Sequence, residues 1–116
     1  MLELKAGAAA VNITPFIGGP MSGYTQMASE ETDDSLYCKA LVLDDGDTEI
    51  ALVTNDLIGV HLGLVNRVRT RVTADAGIPG DHVLVCTSHT HFGPEIGGEF
   101  GGCGLETEAD RPTYSH

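Results

Sequence analysis

The sequence predicts an α/β fold: a mixed sheet with a β-hairpin and a βαβ crossover, part of a larger layered α/β sandwich domain. Three observations predict it. Two apolar, β-rich runs flank Asp44-Asp45-Gly46-Asp47-Thr48, a hairpin pattern. Leu62, Val65, Val68, Val72 and Ala76 then recur at intervals of three and four, the period of a helix with one apolar stripe. A second apolar run, residues 83–86, follows Gly77 and Pro79-Gly80-Asp81, so that strand, helix and strand succeed one another as in a parallel crossover.

The totals fit one domain. At 116 residues, with 41% apolar and 20% charged side chains, the composition is that of an ordinary globular protein. A chain of this size buries about 65% of the surface its unfolded form exposes. The formal net charge of −11 argues against nucleic acid, whose phosphates this surface would repel, and against an anionic membrane leaflet. Cys38, Cys86 and Cys103 form no C-x-x-C and are too scattered for a disulfide framework; Cys86, in an apolar strand, reads as a buried small hydrophobe. No window has the length of a transmembrane segment. The start, MLELKAGAAAVNITP, lacks the long apolar core of a signal peptide, which makes the cytoplasm the default location.

Taken in order, residues 4–13 (LKAGAAAVNI) read as a short strand of small side chains ended by Thr14-Pro15. Residues 16–26 (FIGGPMSGYTQ) read as a loop in which Gly18, Gly19 and Gly23 allow turns, and Tyr24 either lines a pocket or simply packs. Residues 28–35 (ASEETDDS) form an acidic, mobile surface loop without the EF-hand spacing. The hairpin strands are residues 36–43 and 49–57. The second is almost continuously apolar from Ile50 to Val53, which suits a central strand covered on both faces. It closes on Thr54-Asn55-Asp56, at the edge where open α/β sheets gather ligands. Asp56 is therefore either the carboxylate of a site or a cap for the coming helix. Along that helix Arg67, Arg69 and Arg71 lie off the apolar stripe, on a solvated face, and Gly77 stops it.

The chemistry concentrates in residues 82–98, HVLVCTSHTHFGPEIGG. A buried strand turns abruptly polar, and Phe92-Gly93-Pro94 breaks it. In extended backbone His89 and His91 share one face. Such a pair either chelates a transition metal, zinc above all, or is two polar residues bonded to backbone or water. Thr87, Ser88 and Thr90 offer hydroxyls to support the rings. A catalytic zinc takes about three protein ligands and an open position, so further ligands must come from elsewhere. The crossover brings the ends of both apolar strands to one sheet edge, which makes Asp56 and His89 near neighbours. Residues 99–116 are glycine-rich, then acidic, and read as a loop or disordered tail to a domain part spanning residues 1–98. A chain that ends so soon after presenting its site looks truncated.

Four stretches, AGAAAVNITP, MSGY, LYCKALVLDDGDTEIALVTNDL and VLVCTSHTHFGPE, together resemble the opening portion of the N-terminal catalytic domain of the neutral/alkaline non-lysosomal ceramidase family, over roughly residues 5 to 95. The last is the most specific, being similar to the family's T-H-T-H-S-G-P signature. Ser88 stands for its first threonine and Phe92 for its serine; neither change removes a ligand, and Phe92 alters the pocket's polarity. The resemblance implies that His89 is a zinc ligand, that His91 sits beside the substrate as a catalytic residue, and that Gly23 and Tyr24 line the site. Asp56 matches a strand-end aspartate whose role stays open. It also implies zinc-assisted hydrolysis of the amide of N-acyl sphingoid bases (ceramide) to fatty acid and sphingosine. One zinc ion is expected, its remaining ligands (a second histidine, a glutamate and a tyrosine) lying outside this chain. The implied partners are a lipid-like N-acyl amide substrate and the missing remainder of the domain. Family members are often secreted or membrane-associated. Two other readings stand beside this one: a non-catalytic α/β module, and a metal-dependent hydrolase of a different substrate. The sequence shows no acyl-chain groove.

Overall fold

The turn at residues 44–49 sets the register of the sheet. The Asp44 carboxylate accepts from the Gly46 amide at 2.7 Å, and the Asp45 carboxylate accepts from the amides of Asp47 and Thr48 at 3.0 and 2.9 Å. Aspartates of this kind satisfy the turn's own amides, and Gly46 supplies the left-handed backbone the reversal needs (φ 96°). The computed structural model describes residues 3–24 and 27–96. Its strands are β1 (Lys5–Asn12), β2 (Met21–Gly23), β3 (Tyr37–Asp44), β4 (Glu49–Asn55), β5 (Val83–Thr87) and β6 (Phe92–Pro94). Helix α1 (Leu62–Ala76) and a 3₁₀ turn (Gly80–His82) lie between β4 and β5.

Four strands form one sheet in the order β1-β3-β4-β5. β1, β3 and β4 run antiparallel in turn, and β5 returns parallel to β4 after the helix, as the strand–helix–strand pattern predicts. Helix α1 occupies the predicted residues. Gly77 ends it in the left-handed conformation (φ 75°), its amide donating to the Thr73 carbonyl. His82 fastens the returning chain, its ring Nδ1 lying 2.9 Å from the Glu49 carbonyl.

Strand register separates the two faces of the sheet. Val42, Ala51 and Val83 lie abreast, as do Ala40, Val53 and Val85. This face carries the core, where Ala51, Ile78 and Val83 are buried and Val42, Val53, Val72 and Val85 pack against them. The intervening rank, Leu41, Leu52 and Leu84, points the other way, and Leu84 keeps 55% of its surface exposed. No described element covers that face. β4 is therefore central in the sheet but covered on one side only, contrary to the expectation from its continuous apolar run. Cys86 follows the same alternation onto the open face and is exposed, not buried. The arginines also divide. Arg71 pairs with Asp75 in solvent, whereas Arg69 turns inward and donates to the Val83 carbonyl at 3.1 Å.

The second sheet is a ribbon of two short strands. Met21, Ser22 and Gly23 pair antiparallel with Pro94, Gly93 and Phe92. The segment expected to be only a loop thus holds a strand, and the Phe-Gly-Pro expected to break a strand forms its partner. Long-range pairing overrides the local breaker signal here, as Pro94 takes a position at the ribbon's end. The proposed boundary at residue 98 and the tail at residues 99–116 lie outside the described residues.

Candidate functional site

The site forms where β4 and β5 end together. The Ser88 amide donates to the Asn55 carbonyl at 2.9 Å, and the Asn55 side-chain amide reaches the Cys86 carbonyl at 3.4 Å. These bonds hold the two departing chains side by side, as the parallel crossover predicts. After β4 the chain dives inward, burying Leu57, Ile58 and His61. Asp56 bonds the neighbouring strand. Its carboxylate accepts from the Tyr37 amide at 2.8 Å while its own amide donates to the Tyr37 carbonyl at 3.0 Å. Asp56 therefore ties the end of β4 to the start of β3. The helix cap falls to His61, whose Nδ1 accepts from the Leu64 amide at 3.1 Å.

His89 sits just past β5 in the left-handed region (φ 60°), the one non-glycine residue there among those described. Histidine tolerates that region better than most side chains. The consequence is geometric: the ring swings back so that Nδ1 lies 2.7 Å from the Ile58 carbonyl. A carbonyl can only accept, so Nδ1 carries the proton and Nε2 is left with its lone pair. The Thr87 hydroxyl donates to the same carbonyl at 3.4 Å.

His91 lies with its ring 4.8 Å from that of His89, at 84°. The two rings do meet, but through the left-handed turn at His89 and not through strand alternation, since β5 has ended at Thr87. On its other side His91 contacts Tyr24, ring centres 4.7 Å apart, and Tyr24 in turn stands edge-on to Phe92 at 6.2 Å. Nδ1 of His91 is buried without a hydrogen-bond partner. Gly23 makes this packing possible. Its backbone (φ 143°) is one that side chains rarely adopt, and a methyl group there would run into the His91 carbonyl. The structure thus brings together Gly23, Tyr24, His89 and His91, and the Asp56 carbonyl lies beside Gly93 of the same ribbon.

Beside Phe92 the ribbon and residues 27–34 enclose a cavity of about 470 Å³. Met21, Met27, Leu36 and Phe92 supply apolar walls, and Glu30 and Asp33 belong to its acidic side. Residues 28–34, within the segment 28–35 expected to be a surface loop, therefore also shape a concavity that Thr90 and Phe92, the chain neighbours of His91, line and that neither imidazole lines. Among the described residues no group of three or more His, Cys, Asp or Glu side chains could hold a metal ion. Cys38 stays a bystander, since burial pushes its thiol above the usual range. Ile58 and His61 were not singled out from sequence. The available signal was a histidine directly before the first turn of the helix, but side-chain oxygens are the usual caps.

No family model matches this chain, and no curated protein matches it by sequence. Solved structures do. Over 83% of its length the chain superposes on the neutral ceramidase from Pseudomonas aeruginosa with a TM-score of 0.72 and 21% identity, covering 16% of that chain. It has the fold of part of a neutral ceramidase. A ceramidase complexed with C2 matches the same share of each chain, with a TM-score of 0.69 and 18% identity. The chain therefore spans 16% of the length of the ceramidase structures it matches. The ceramidase fold agrees with the mixed sheet, hairpin and crossover predicted from sequence.

Proposed function

We propose that this chain is part of a ceramidase-like amidohydrolase, in which His89 supplies one ligand to a zinc ion and His91 serves proton transfer. The observation that carries the reading is the hydrogen bond from His89 Nδ1 to the Ile58 carbonyl. It fixes the tautomer in which Nε2 is a bare donor atom, the form a metal-binding imidazole takes. His89 thus fits as a ligand. The described residues do not complete a tetrahedral set, so the other ligands would come from outside them, with the remainder of the domain as the natural source.

Zinc in such a site would polarise the amide carbonyl and lower the pKa of a bound water. The chain's own residues would do the rest. His91 would take up and return a proton beside the reacting amide through Nε2, since its Nδ1 is buried. Tyr24 packs against that ring and limits its rotation, and Gly23 allows the two to approach. The cavity beside Phe92 offers apolar walls to the chain of a lipid-like N-acyl amide, the ceramide class.

A second reading, a module that does not catalyse alone, is favoured by the absence of a three-ligand cluster among the described residues. The zinc content of the purified chain, measured at several protein concentrations beside His89→Ala, separates the two. Near-stoichiometric zinc that is lost in the variant supports the proposal, and ceramide hydrolysis is then assayed. Zinc retained by His89→Ala excludes His89 as the ligand. If the folded wild-type chain takes up no zinc, the missing remainder of the domain is supplied, and a completed domain that still binds no zinc and hydrolyses nothing supports the module.

A further inference from the structure

We infer that His61 is a positioning residue for His89, acting through the buried segment at residues 57–61. His61 is 2% exposed and Ile58 is 4% exposed. The segment between them is held at one end by the helix: His61 Nδ1 accepts from the Leu64 amide at 3.1 Å, and the His61 carbonyl accepts from Val65 at 3.1 Å. At its other end the Ile58 carbonyl receives both the His89 ring proton at 2.7 Å and the Thr87 hydroxyl at 3.4 Å. The direction of that one carbonyl therefore depends on a segment whose far end is the helix cap.

The two imidazoles use Nδ1 in opposite senses. In His61 it accepts, so the proton is on Nε2; in His89 it donates, so Nε2 is bare. A histidine in water favours the proton on Nε2, which makes the His89 tautomer the one that requires a partner. Its left-handed backbone (φ 60°) adds to that requirement. Release of the cap at His61 frays the first turn of the helix, frees the Ile58 carbonyl from its fixed direction, and returns His89 toward the tautomer it would hold in solution. The effect on a metal rests on the zinc reading above; the effect on the tautomer does not.

The test is long-range proton–nitrogen correlation NMR of the histidine rings in the metal-free chain, at about pH 8, where ordinary imidazoles are neutral. The wild type should show His89 protonated at Nδ1 and His61 at Nε2. His61→Asn, which restores a capping side chain, should keep the His89 pattern. His61→Ala should lower the Nδ1-protonated fraction of His89 at least twofold, and weaken zinc about tenfold where zinc binds. A folded His61→Ala chain with an unchanged His89 tautomer overturns the inference. If His61→Ala does not fold, His61→Gly, which also lacks a capping side chain but suits an N-cap backbone, decides: a lowered Nδ1-protonated fraction of His89 upholds the role of the cap, and an unchanged one overturns it. Zinc bound by the completed domain and unaffected by His89→Ala refutes the zinc reading and leaves this inference standing. Zinc uptake with a tautomer indifferent to residue 61 refutes the inference alone.

Discussion

The segments that leave β4 and β5 start from the same sheet edge and meet where His89 bonds Ile58, yet they are built on opposite plans. Residues 56–61 turn Leu57, Ile58 and His61 into the interior, bonding the Asp56 carboxylate to β3, His61 Nδ1 to the helix and the Ile58 carbonyl to His89, while His61 Nε2 is buried without a partner among the described residues. Residues 88–92 stay near the surface, exposing Ser88, His89 and Phe92. One segment is buried scaffold and the other holds its imidazole at the surface. The difference teaches that an exposed imidazole takes its orientation from a neighbour that is itself withdrawn from solvent.

The sharpest way to break the comparison is to weaken the withdrawn segment. Ile58→Ala removes a side chain that is 4% exposed and should cost about 2–5 kcal/mol in urea unfolding. A loss below about 1 kcal/mol would show that the segment contributes little to stability. Gly23→Ala comes next. The added methyl meets the His91 carbonyl on a backbone that glycine alone accepts easily, so about 1–3 kcal/mol should be lost. Amide exchange should rise in β2 and β6 while the helix stays protected. Uniform loss of protection would mean that ribbon and sheet unfold as one unit. Phe92→Ala, at a residue 73% exposed, should shift stability by less than about 0.5 kcal/mol. A shift as large as that of Ile58→Ala would erase the distinction between the two segments.

The smallest effect lies away from both, in the hairpin turn. The amides of Thr48 and Asp47 donate to Asp45 and hold its carboxyl below the ordinary aspartate range. A carboxyl lowered in the folded state contributes its stability above the unfolded value and loses it as pH falls through the folded value. An NMR titration of the Asp45 carboxyl should place its midpoint below that of an unfolded-peptide aspartate; an equal or higher midpoint would contradict the turn's hydrogen bonding.

How much was legible in sequence follows from how far each signal extends along the chain. Helix α1 and the hairpin repeat a pattern over many residues, and both stand where the sequence puts them. The ribbon strands are three residues each, too short to show a period, and their pairing joins distant segments. Cys86 was placed inside because Val83, Leu84, Val85 and Cys86 are all apolar, which hides the alternation the sheet imposes. His89 and His91 stood out by their spacing, but the left-handed turn that joins their rings leaves no mark in the residue types. Asp56 was visible as a strand-end carboxylate; its bond to the Tyr37 amide is a tertiary contact that no local pattern encodes.

The β2–β6 ribbon also dictates an order in time. The β3–β4 hairpin closes across a turn of a few residues, whereas residues 21–23 must find residues 92–94 after almost all the described chain has been placed. Loop-closure entropy makes the local pairing early and the distant one late. Tyr24 therefore reaches the His91 ring among the last steps of folding, and the sheet, the helix and its caps can be complete while the imidazole pair still awaits its aromatic neighbour.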